Sequence, residues 1–168
     1  MPTGETQPST RRTAHGHPCA GSVVHGAPPV QLSVPHERTG VRLARHAFAD
    51  QIEAAGIEGE ARDDAMLVLS ELVSNAVRHA APLPSGEITV RWQVDDDVLH
   101  IEITDGGAST RPRAGVAALS ALGGRGLDIV RTVSRHWGVT EGEDTVTVWA
   151  EVPRTTDPSG DGPDQGRH

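Results

Sequence analysis

Glu71 and Asn75 stand four residues apart in the stretch LSELVSNAVRHA, residues 69 to 80, and Asn75 is the only asparagine among 168 residues. On a helix that spacing stacks the two side chains along one flank. A carboxylate there can orient or deprotonate a hydroxyl or a water, and an amide oxygen is a hard ligand of the kind Mg²⁺ prefers. Taken alone, such a pair more often marks a solvated helix face.

Two further stretches carry residues of chemical use. In ITDGGAS, Asp105 sits directly after an apolar strand and precedes Gly106 and Gly107. A carboxylate at a strand end can accept a hydrogen bond from an exocyclic amine, and a nearby glycine lets a flat ring approach the backbone. An ordinary Asp-Gly turn has the same letters. In GGRGLDIV, Gly123 to Val130, a glycine-rich turn opens an amphipathic pattern. Exposed backbone N–H groups, the helix dipole and the Arg125 charge there suit a polyphosphate, and a simple helix-capping loop is the alternative. It is not a Walker loop, because the chain has no lysine, and the full G-x-G-x-x-G spacing after a strand is absent.

The elements that must position these residues read as periodicities. QLSVP predicts a first strand, and Val41, Ala44, Phe48, Ile52 and Ala55 recur at helical spacing until Gly56 ends that helix. Asp63 and Asp64 favour the start of a second helix with the stripe Met66, Leu69, Leu72/Val73, Ala76/Val77 and Ala80, stopped by Pro82 and Pro84. GEITVRWQV and VLHIEIT alternate around DDD as a hairpin, with Ile88, Val90, Trp92 and Val94 on one face. After a short Ala-rich piece, a third helix follows GGRG, with Leu127, Val130 and Val133/Ser134 facing the sheet. A second hairpin pairs WGVT with DTVTVWAEV across EGED, placing Val146, Val148 and Ala150 together. The order β, α, α, β, β, α, β, β predicts an α+β fold: a two-layer α/β sandwich whose mostly antiparallel sheet is covered on one face by helices.

Composition narrows the function. A formal net charge of −8 and a pI near 5.5 argue against direct nucleic-acid binding, which calls for a basic face. All 15 basic residues are arginine, so a bound phosphate must be held by arginine, backbone N–H groups, a helix N-terminus or a metal. No apolar run suits a bilayer span or a secretory signal, and the single Cys19 cannot form an internal disulfide; the expected location is cytoplasmic, without membrane attachment. Residues 1–30 and 153–168, rich in Pro, Gly, Ser and Thr, read as disordered arms around a folded unit at 31–152.

Taken together, ELVSNAVRHA, DGG and GGRGL, in this order and on a helix, a strand end and a glycine-rich helix start, resemble the N, G1 and G2 boxes of the histidine-kinase-like ATPase superfamily, the Bergerat ATP-binding fold. The compact chain is similar to the anti-sigma-factor serine/threonine kinases within it, over residues 32 to about 152. The resemblance implies ATP and Mg²⁺ as cofactors. It implies that Asn75 holds the metal against the phosphates and that Glu71 is the catalytic base for the attacking hydroxyl or water. Asp105, helped by Gly107, would read the adenine amine, and Gly124, Arg125, Gly126 and Leu127 would supply the phosphate-facing turn. The implied partners are a sigma factor and an anti-sigma-factor antagonist, phosphorylated on Ser or Thr. Dimerisation is common in that family, and the open sheet edge or the first helix can supply a homodimer interface.

One departure concerns the segment between Gly107 and Gly123, shorter than the nucleotide lid of many sensor kinases. Two rival readings stay open. In one the chain is a non-catalytic, ATP-gated protein-binding regulator; in the other it hydrolyses ATP, although nothing suggests a coupled mechanical domain. Other signals are set aside. His15, His17 and Cys19 in HGHPC have no fourth ligand. PHERT resembles a phosphoacceptor box, yet the helical hairpin that carries such a histidine has no room, so His36 reads as a helix-start residue. His79, one turn beyond Asn75, reads as a locally satisfied histidine.

Overall fold

The computed structural model describes residues 27–107 and 125–154. The expected arms lie outside these residues except at 27–30 and 153–154, as do the HGHPC motif, the Ala-rich piece and Gly123–Gly124. The elements are β1 (Val30–Pro35), α1 (Arg38–Ala54), α2 (Gly59–His79), β2 (Glu87–Val94), β3 (Val98–Asp105), α3 (Arg125–Val133), β4 (His136–Glu141) and β5 (Val146–Pro153). Among the described residues the expected order is therefore the observed one.

Every strand pair is antiparallel, and the sheet runs β1-β2-β3-β5-β4. The register aligns one apolar face: Leu32 lies opposite Val90, Val90 opposite Ile103, Ile103 opposite Val148, and Val148 opposite Val139. A parallel row joins Val30, Trp92, Ile101, Ala150 and Trp137. Because side chains alternate between faces along a strand, these rows face one way and the polar rows, such as Arg91 opposite Glu102, face the other. Among the described residues, helices cover the apolar face alone. Phe48 of α1 meets the Trp92 ring edge-on, with centroids 5.4 Å apart and planes at 82°, a geometry favoured by aromatic quadrupoles. Val68, Leu69, Leu72 and Val73 of α2 and Val130 of α3 complete the core.

The second helix starts earlier than Asp63 and Asp64 suggest. It begins at Gly59, after an extended Glu58, with Glu60 in the first turn and Ala61 and Ala65 already buried. Glu60 meets the positive end of the helix dipole, the place that the aspartates would otherwise fill. Small buried alanines give little hydropathic contrast, so the first turn is hard to read from periodicity. Among the described residues no helix is long and apolar enough to cross a membrane.

Candidate nucleotide site

Helix α2 presents Glu71 and Asn75 to the first turn of α3. A Cβ added at Gly126 would run into Glu71 Oε2 and stand 3.7 Å from Asn75 Nδ2. A side chain at 126 would therefore require the Glu71 carboxylate to move. The amide nitrogen of Asn75 is buried and has no hydrogen-bond partner, a costly state for a polar group unless something else meets it. Half a turn of the amide exchanges its nitrogen and oxygen, so the same position can offer an oxygen.

Asp105 completes the alternation Leu99, Ile101, Ile103 and so points into the helix-covered face, where it is 4% exposed. It is the one charged residue in the core among the described residues. Gly107 N–H donates to its Oδ1 at 2.8 Å. Gly107 has φ +76, a left-handed conformation suited to glycine. Burial pushes the Asp105 carboxyl up from 3.8 to about 6, while the Gly107 N–H and the charge of His36 pull it back.

The exit of α2 is stitched to this turn. Ala81 N–H donates to Gly107 O at 2.7 Å, and Gly106 N–H donates to Ala81 O at 2.9 Å. The helix bearing Asn75 and the turn bearing Asp105 are thus joined by a two-bond backbone bridge six residues beyond Asn75. The structure brings Glu71, Asn75 and Gly126 to one spot and Asp105 and Gly107 to another, linked through this bridge. Leu127 is 6% exposed, with its side chain in the core, so only its backbone is left to serve a ligand. Arg125 is the first residue of α3, and Gly124 lies outside the described residues.

Two participants do not read from the sequence as part of the site. Ala81 acts through its backbone, and His36 reaches the site from 40 positions before Ala76, whose carbonyl lies 3.0 Å from its Nε2. Chemically, a carboxylate, a buried unpartnered amide and a glycine-backed helix start form a donor set that fits a hydrated hard cation and phosphate oxygens. The buried carboxylate beside a left-handed glycine fits an amine-bearing flat ring.

A five-stranded antiparallel sheet with helices on one face and polar groups converging from α2, β3 and α3 defines an open α+β sandwich of the Bergerat type. The family described as Histidine kinase-like ATPase domain matches residues 34–151, and the chain belongs to it. The chain is 29% identical over 116 residues to the serine-protein kinase RsbW of Listeria innocua, covering 62% of this chain and 74% of the relative; RsbW of Listeria monocytogenes matches to the same extent. Among solved structures, the RsbU and RsbW domains of a Mycobacterium tuberculosis protein superpose with a TM-score of 0.58 at 17% identity, over 75% of this chain and 32% of that one. The SiaB–SiaC complex of Pseudomonas aeruginosa gives 0.56 at 15%, over 73% and 88%. These structures share the fold.

Proposed function

We propose that the chain binds Mg·ATP and transfers the γ-phosphoryl group to a serine or threonine of an anti-sigma-factor antagonist, and that it also holds a sigma factor, acting in the cytoplasm. The observation that carries the proposal is the packing of Glu71 and the unpartnered Asn75 amide against Gly126. The Listeria relatives, named as serine-protein kinases, support the reaction class.

In this reading Asp105 accepts the adenine amine through the oxygen that Gly107 leaves free, and Gly107 lets the ring lie close to the backbone. Backbone N–H groups at the start of α3, from Arg125 to Leu127, face the phosphates. Asn75 would hold the metal, which when bound would neutralise charge on the phosphate oxygens. Glu71 takes the proton of the attacking hydroxyl as its oxygen bonds to phosphorus, and ADP leaves. Phosphoryl transfer depends mainly on positioning and charge, so this small set of groups suffices.

Affinity capture of partners from native cytosol, with and without Mg·ATP, tests the proposal when followed by intact-mass measurement of the captured proteins. Nucleotide-dependent retention of a sigma factor or an antagonist, with one phosphate added to the antagonist, is the expected result. Retention without any mass change would instead favour an ATP-gated binding module.

A further inference from the structure

His36 sits between β1 and Glu37, the residue that precedes α1. Its Nε2 lies 3.0 Å from the carbonyl oxygen of Ala76, in a half-buried position. A carbonyl can only accept, so Nε2 must carry the proton and donate. The backbone N–H of His36 faces Gly86 O at 3.4 Å, which holds the residue at the entry to β2. The imidazole therefore bridges the junction of the first strand and helix to the last turn of α2.

Ala76 lies at a strategic point. Its carbonyl also accepts the N–H of Ala80 at 3.1 Å, in the bond that closes the helix, and Ala81 follows with the two-bond bridge to Gly106 and Gly107. A path of hydrogen bonds, joined by the peptide link between Ala80 and Ala81, thus runs from His36 through Ala76 to the turn that presents Asp105. The ring also stands close enough to Asp105 for a positive charge on it to favour the ionised carboxylate. Nothing in the ordinary packing of a helix end requires a histidine here.

We propose that His36 is a positioning residue of the nucleotide pocket: by donating to the Ala76 carbonyl it holds the exit of α2 in register with the Gly106–Gly107 turn and so keeps Asp105 aimed at the base. This inference rests on the nucleotide-binding reading above. It assigns His36 to the base end of the pocket, because the hydrogen-bond path ends on Asp105 rather than on Glu71. Substitution should thus affect recognition of the base and spare the phosphates.

The test compares His36→Gln, His36→Asn and His36→Leu in the full chain, titrated with Mg·ATP and separately with Mg²⁺ and inorganic triphosphate. A glutamine amide reaches about as far as imidazole Nε2, and an asparagine amide does not. The expected result is wild-type ATP affinity within about threefold for His36→Gln and a roughly fivefold to tenfold loss for His36→Asn and His36→Leu, the worth of one hydrogen bond. Triphosphate affinity should be the same in all four proteins. Equal ATP affinity in the Gln and Asn variants, or a parallel fall in triphosphate affinity, would overturn the assignment. If His36→Leu fails to fold, the comparison of the two amide variants still decides. Failure of the wild type to bind ATP would instead overturn the nucleotide-binding reading, and this inference with it.

Discussion

Glu71 Oε2 occupies the space that a β-carbon on Gly126 would need, between α2 and α3. The carboxylate and the helix start are therefore one structural unit, built from residues 55 positions apart. A group that removes a proton and a group that faces phosphate must meet over the same phosphorus atom, and this contact brings them together.

Glu71→Gln keeps the shape of the side chain against Gly126 and removes its basicity. Phosphotransfer to the antagonist should fall by at least ~100-fold, the usual worth of a general base. ATP affinity should stay within a few-fold of wild type. Single-turnover transfer measured beside equilibrium binding separates the two, and unchanged transfer would remove Glu71 from the role of base.

Gly126→Ala forces the Glu71 carboxylate out of its place. Alanine favours a helix by about 1 kcal/mol over glycine, so a net loss of stability or of ATP affinity would have to come from the clash. In a double-mutant cycle with Glu71→Ala, the loss should be relieved by at least ~1 kcal/mol, as expected for residues in contact. Additive effects, measured by urea unfolding and ATP titration, would mean that the carboxylate moves aside freely.

Asp105 makes stability depend on pH in an unusual direction for a carboxylate. Its folded value, about 6, lies above the ordinary 3.8, so its favourable contribution is complete below about 3.8 and is lost as pH rises through about 6. Full desolvation would make that shift worth about 3 kcal/mol, and partial access of solvent reduces it to ~1–2. Asp105→Asn should accordingly stabilise the nucleotide-free protein by ~1–2 kcal/mol at pH 7.5, with the gain fading toward pH 4. Urea unfolding of the two proteins across that range checks it; a difference independent of pH would contradict the assigned cause.

The same substitution should change the preferred base. The Gly107 N–H already donates to Asp105 Oδ1, so an asparagine must keep its oxygen there and turn its NH₂ toward the ligand. A donor then faces the adenine amine, leaving a buried mismatch worth at least tenfold in affinity. A base with a carbonyl at that position is now matched. Competition between ATP and ITP should favour ATP in the wild type and shift toward ITP in Asp105→Asn.

Much of this architecture is legible in the residues. The residues place Asp105 at the end of an apolar strand; that it continues the alternation Leu99, Ile101, Ile103 onto the buried face follows from the period of two of a strand once the strand is seen to extend through it. Glu71 and Asn75 share a helix flank for the same kind of reason. What periodicity cannot deliver is contact between distant segments. The Glu71–Gly126 approach, the Ala81–Gly107 bridge and the His36–Ala76 hydrogen bond depend on how elements dock, and two of the three involve backbone atoms that every residue possesses. The early start of α2 at Gly59 escapes for a related reason: Ala61 and Ala65 bury too little apolar surface to signal a face.

The most direct test of the central claim is calorimetric titration of the wild type and Asn75→Ala with ATP, in the presence and absence of Mg²⁺. The account predicts one site per chain in the wild type, tightened by Mg²⁺, and loss of that tightening in Asn75→Ala. Equal responses to Mg²⁺ in the two proteins, or no ATP binding by the wild type, would contradict it.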